Sequence, residues 1–272
     1  MIVRYESDGV VLFAQDDHGQ VSGQMAVHWG NGEFLPVEKA YRASVETAAA
    51  MHDCGWREAD EVLKVGDDGR LHDFTTYPLA DRLKLYRQGV DAVEGKDAYA
   101  AVLCSLHYSG FVQGMGGLTG DAEHMVNRYL TAESERRHRL AAQLADSSTP
   151  VHIANDGRLD ERTMHHFHLL RLWDLLSLLL CMTRPGSSPE TRGAWFGQGE
   201  IWMPAAPGKM RPVAVRWAGE DRLVFAPFPF VKPFDVSIPY RRVPAAERAL
   251  LQEKRRLDQW PPHTLHVRLD AA

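Results

Sequence analysis

The 272-residue sequence predicts a mainly α fold, with a helical core over residues 16–182 and a small β-sheet made by an N-terminal hairpin (1–14) and strands within 195–269. Two observations carry that prediction. Apolar residues recur at helical spacing in long segments up to Met182. After Arg184-Pro185-Gly186-Ser187-Ser188-Pro189 the composition shifts to Gly, Pro, Trp and β-formers. The length suits one large domain with ample core, and a single domain over 1–272 is expected.

Residues 1–14 run apolar on either side of Asp8-Gly9, as a hairpin with a tight turn does. Asp16-Asp17 offer N-caps for a helix to about Trp29, on which His18 shares a face with Ser22, Met25 and Trp29. A second helix, led in by Leu35-Pro36, runs through Val45-Glu46-Thr47-Ala48-Ala49-Ala50-Met51 and delivers His52-Asp53 to its last turn. Gly55 is its expected left-handed terminator. With 13 His and 20 Asp, chance gives about one His-Asp step, and the chain has two. The other, His72-Asp73, lies in a turn-rich stretch and reads as a solvated loop pair.

Residues 57–77 look loop-like, and Pro78 opens a helix to about Val93. Residues 97–112 are apolar on most sides, so this is a core helix with His107 in its interior, either a satisfied buried histidine or a ligand. Gly114–Gly120 lacks the Lys-Ser/Thr ending of a phosphate-cradling loop and is a connector or a flap. Asp121 caps a long polar helix to about Leu144, with His124 at its surface and Glu133, Glu135, Arg136, Arg137 and Arg139 on a solvated charged face. Asp160 caps a helix to Met182, with His165, His166 and His168 at its rim. On it Asp174 lies among Leu170, Trp173, Leu175 and Leu178, so no rotation exposes the acid without exposing leucines. A lone buried carboxylate is badly destabilising, so Asp174 needs a metal, an arginine or several donors.

Strands are expected at 201–203, 213–217, 223–225 and 236–238, a charged terminal helix at 245–260 and a last strand at 264–269. The net charge of -5 argues against a general nucleic-acid binder. Cys54, Cys104 and Cys181 are far apart, odd in number and set in apolar helical segments, as reduced thiols of a cytoplasmic protein are. No secretory leader is visible, and the longest apolar run falls below the ~18 residues of a membrane span.

The order His18 … His52-Asp53 … Asp174 resembles the HD-domain superfamily of metal-dependent phosphohydrolases, over roughly residues 16–182. The resemblance implies an HD-like helical core in which these four residues hold a divalent transition metal (Mn, Fe, Co or Ni). His107 matches an extra histidine of two-metal members. Those members usually carry two such histidines, and only His124 is available as the second, so one ion is expected rather than two. More finely, the chain is similar to an uncharacterised bacterial family, domain of unknown function 3891. The matching segments include Gln15-Asp16-Asp17-His18, His52-Asp53-Cys54-Gly55-Trp56, Ser105-Leu106-His107-Tyr108-Ser109 and Pro227-Phe228-Pro229-Phe230.

The expected activity is hydrolysis of a small phosphorylated metabolite or nucleotide by metal-activated water. Glu58, Arg57 or His107 would orient the water or bind phosphate. A di-iron oxygenase using His107 and His124 is the alternative. A non-enzymatic helical binding protein with a buried His/Asp network is the third reading.

Overall fold

The computed structural model describes residues 1–253 and 255–272. Strands β1 (Ile2–Glu6) and β2 (Gly9–Phe13) form the expected hairpin, with Ile2 opposite Phe13. Every residue of β2 is buried because it separates two cores. Val11 and Phe13 join the main core. Val10 and Leu12 join a smaller cluster with Leu63, Leu71, Val243 and Trp260.

Among the described residues seven α-helices follow: α1 (Gln15–His28), α2 (Arg42–Met51), α3 (Arg57–Asp60), α4 (Leu79–Glu94), α5 (Ala98–Gln113), α6 (Gly120–Leu144) and α7 (Glu161–Met182). Asp97 and Asp160 cap α5 and α7, accepting from the amides of Ala100 and Thr163 at 2.8 and 2.9 Å. Ala14 takes the cap position of α1, and Asp16 and Asp17 sit in its first turn, where acidic charge favours the helix dipole. Helix α1 packs on α2 and α7, and α5 packs on both of those.

The fold class differs from the sequence expectation. The chain is 47% helix and 22% strand, not mainly α with a small sheet. Strands β3 (Glu200–Ala206), β4 (Lys209–Trp217), β5 (Arg222–Ala226), β6 (Phe234–Pro244) and β7 (Pro262–Ala271) join the hairpin in one seven-stranded sheet. Its order is β1-β2-β6-β7-β5-β4-β3; β5 and β7 run parallel and every other neighbouring pair antiparallel. The strands are longer than expected because prolines that ordinarily interrupt a sheet lie inside them. Pro204 sits at a bulge on the edge strand, Pro212 opposite Trp202, and Pro239 opposite Thr264. Burial alternates along β6 and along the second half of β4, so one face meets the helices. Helix α1 lies against β6, and α7 against β1 and β3.

Other expectations are corrected. The 245–260 segment forms 3-10 turns at Ala245–Gln252 and Leu257–Gln259, with Lys254 outside the described residues. His165 and His166 are buried, not at the rim. His166 is satisfied by Tyr99 Oη at 2.7 Å and Glu38 Oε2 at 3.0 Å. On α6, Glu133 is buried, and Arg137 turns inward to donate to the hydroxyls of Ser105 and Ser109.

Helix α2 stops at Met51, so His52 and Asp53 stand just beyond it, before a 3-10 turn at Cys54–Trp56. Gly55 is not left-handed. It is required because a Cβ there would collide with the Leu85 carbonyl and lie 2.8 Å from Gly89 N, where the turn meets α4. Gly55→Ala is therefore expected to cost about 1–3 kcal/mol of stability by overpacking, measured by chemical denaturation. Gly32→Ala, which meets nothing within 4 Å, is the control and should change little.

Candidate metal centre

Four segments deliver five polar side chains to one buried spot. His18 comes from the first turns of α1, His52 and Asp53 from the end of α2, His107 from α5 and Asp174 from α7. All five are buried. Helix α1 reaches α2 closely because Gly23 presents no side chain; a Cβ there would lie 2.6 Å from Ala50 Cβ. The His18 and His52 rings meet edge to face at 5.0 Å, and those of His52 and His107 at 5.1 Å.

Hydrogen bonds fix the imidazoles. His52 Nδ1 lies 2.8 Å from the Ala49 carbonyl, which only accepts, so Nδ1 carries the hydrogen. The Ser177 hydroxyl donates to the Asp174 carbonyl at 2.9 Å, so its oxygen accepts from His18 Nδ1 at 2.8 Å. Both rings therefore turn Nε2 toward carboxylates. His18 Nε2 is 2.9 Å from Asp53 Oδ2. His52 Nε2 is 3.4 Å from Asp174 Oδ1 and 3.7 Å from Asp53 Oδ2. A bare nitrogen lone pair facing a carboxylate oxygen is repulsive unless a cation, a proton or a metal ion, lies between them.

The charges agree with this arrangement. Burial alone would push His52 down, but Asp53 and Asp174 outweigh it and hold its pKa at about 9. Burial would raise both acids, yet the imidazoles around them hold each below the usual carboxylate range. His107 is different: burial pushes it down to about 4, against the pull of Asp174. It is neutral at pH 7. Its Nε2 lies 3.7 Å from Asp174 Oδ2, and neither ring nitrogen has a hydrogen-bond partner.

Ligand atoms about 2.0–2.2 Å from one ion stand about 3 Å apart at right angles and about 3.4 Å apart at the tetrahedral angle. The separations of 2.9 and 3.4 Å match donors sharing an ion. Two triads, His18/His52/Asp53 and His52/His107/Asp174, can hold a metal, the donor atoms of each lying within 4.8 Å of one another. Both draw on His52, whose Nδ1 is already committed to Ala49.

The remaining expected residues lie elsewhere. Arg57 is exposed and spends its guanidinium on Asp16 at 2.9 Å. Glu58 is exposed beside it, and neither lines the cavity at the site. His124 is exposed and belongs to neither triad. Sequence reasoning gave no role to Tyr108, whose hydroxyl donates to Asp53 Oδ1 at 2.8 Å, or to Ser177. Burial and the Asp53 charge push the Tyr108 hydroxyl well up, so it stays a donor. A cavity of about 850 Å³ opens on His107 and Asp174.

A family model described as "Protein of unknown function (DUF3891)" matches residues 1–245. The chain belongs to this family. No curated protein and no solved structure matches it. Among the described residues of this DUF3891 member, no helix is long and apolar enough to cross a membrane, and its three cysteines are buried and free.

Two outcomes follow for metal uptake. At pH 7 the metal-free His52 is an imidazolium, and a ligand must be unprotonated, so binding a divalent ion should release about one proton. Calorimetry in buffers of different ionisation enthalpy measures this, and the release should fade as pH rises through about 9. Tyr108→Phe leaves Asp53 without its second donor and should weaken metal affinity by about 10–100-fold, read by competition with a chelator.

Proposed function

We propose that His18, His52, Asp53, His107 and Asp174 bind one divalent transition metal, Mn, Fe, Co or Ni, and that the chain is a metal-dependent phosphohydrolase on a small phosphorylated compound. One observation carries this: three imidazoles and two carboxylates are buried together, with both His107 nitrogens lacking a hydrogen bond and His52 Nε2 facing two carboxylates at 3.4 and 3.7 Å, beyond good hydrogen-bond range. A non-enzymatic hydrogen-bonded network would pair those atoms. One ion is favoured over two because His52 has a single free nitrogen for both triads. The His … His-Asp … Asp order supports a relation to the HD-domain superfamily in the ligand set, without the mainly helical fold.

When bound, such an ion polarises a phosphoryl oxygen and lowers the pKa of water. The chain's own residues do the rest. Asp53, held by Tyr108, and Asp174 supply the negative charge that favours a cation. The Ala49 carbonyl and Ser177 orient His52 and His18 with Nε2 inward. His107, neutral and facing the cavity, is placed to complete the ligand set. Three buried free thiols support a reducing, cytoplasmic setting.

The test is metal analysis of purified protein with phosphate release from aryl and alkyl phosphate esters. One ion per chain, activity abolished by chelator and restored by Mn²⁺ or Fe²⁺, and loss of both metal and activity in Asp174→Ala are expected. Arg57→Ala and Glu58→Ala should leave activity unchanged. Two irons per chain with dioxygen consumption would replace the hydrolase by an oxygenase; failure to bind any divalent metal would remove both.

A further inference from the structure

The cavity over His107 and Asp174 has two chemically different parts. Arg82 from α4 and Arg171 from α7 both line it. Arg82 donates from Nη1 to the carbonyls of Phe74 and Thr75 at 3.2 and 3.0 Å and from Nη2 to Met115 Sδ at 3.7 Å, and its Nε has no partner. The Arg171 guanidinium lies over the Phe167 ring. Among the described residues neither arginine is in an ion pair, and both reach the same cavity. Two guanidiniums outside any ion pair line the same cavity as the Asp174 carboxylate, and they can hold an anion beside it.

The other part is aromatic. Trp195, Trp202, Met210 and Phe111 line the same cavity, and they are four of the nine large apolar side chains left most exposed. Trp202 is 62% and Trp195 50% exposed, although the other five tryptophans are buried. Trp202 projects from β3 and Met210 from β4, so the sheet edge supplies this wall. The cavity, about 850 Å³, is far larger than a phosphate ion and within the range of small-molecule sites.

We propose that the ligand is an amphipathic anion: a phosphoryl group held between Arg82, Arg171 and the His107–Asp174 end, carrying a flat aromatic body that lies against Trp195 and Trp202. The phosphoryl assignment rests on the hydrolase reading; the aromatic body rests on the tryptophan wall alone. A bare phosphate leaves that wall in water.

Binding is tested with probes whose C–P bond removes hydrolysis from the measurement: 1-naphthylphosphonate, methylphosphonate and a nucleoside phosphonate. Each is titrated into the Mn²⁺-loaded and the chelator-treated chain by calorimetry and tryptophan fluorescence. Naphthylphosphonate should bind at least about tenfold tighter than methylphosphonate, with or without metal. Trp202→Ala should erase that preference, and because Trp202 is exposed, unchanged thermal unfolding verifies the fold. Arg171→Ala should weaken every probe by about tenfold. The nucleoside phosphonate decides whether the natural ring is a base or a simple aryl group. Equal affinities for the naphthyl and methyl probes, or a preference that survives Trp202→Ala, overturns the proposal. A ring preference that persists while no ester releases phosphate overturns the hydrolase reading instead, so the two fail separately.

Discussion

Two buried carboxylates, neither of them ion-paired to an arginine among the described residues, set the terms for everything around them. Taking a carboxylate out of water costs several kcal/mol even after relaxation, and a neutral hydrogen bond returns only about 1 kcal/mol net. Tyr108 gives Asp53 one such bond. Asp174 has only imidazole nitrogens at 3.4, 3.7 and 3.9 Å. Neutral donors at those ranges do not balance two charges. A cation does, whether a proton on His52 or a metal ion among the nitrogens, and the close approach of α1, α2, α5 and α7 makes sense as a cage for it.

The acids themselves were legible in the sequence because burial of one residue among leucines is a local property. Asp174 could not be exposed without exposing Leu175 or Leu178, and His52-Asp53 followed a run of alanines that had to pack. The cap at Asp160 is equally local, whereas Asp121 sits in the first turn of α6 and Thr119 takes the cap position. What stayed hidden depended on distant partners. His166 reads as a rim residue from its polar neighbours, yet Glu38, 128 positions away, satisfies it in the interior. Glu133 and Arg137 read as part of a solvated face, yet Ser105 and Ser109 take Arg137 inward. Tyr108 carried no signal beyond standing next to His107, and a helix turns only about 100° between neighbours, so both reach the site.

The sheet was misjudged for a related reason. Runs of β-formers bounded by prolines predict short strands, but proline is tolerated at a bulge, as at Pro204, and where a strand is paired on one side only, as at Pro212 and Pro239. Strand β2 was visible as an apolar run; its partner β6, more than 220 residues on, was not. Nor does a local pattern announce a parallel pair such as β5 and β7.

That sheet is more than a support. Helix α7 carries Asp174 on the face toward the imidazoles and packs against β1 and β3. The same β3 extends Trp202 over the cavity that Asp174 lines. One rigid contact thus fixes the distance between the charged floor and the aromatic wall. Low dielectric strengthens any interaction of an anion with the arginines and the floor, and the aromatic wall keeps water from that space only while something lies against it. A ligand with an apolar body would therefore seal the cavity as it binds, whereas a small polar anion would leave it wet and the same charges screened. Affinity for the body and electrostatic strength at the floor are coupled through a single wall, and the helical segment alone cannot build it.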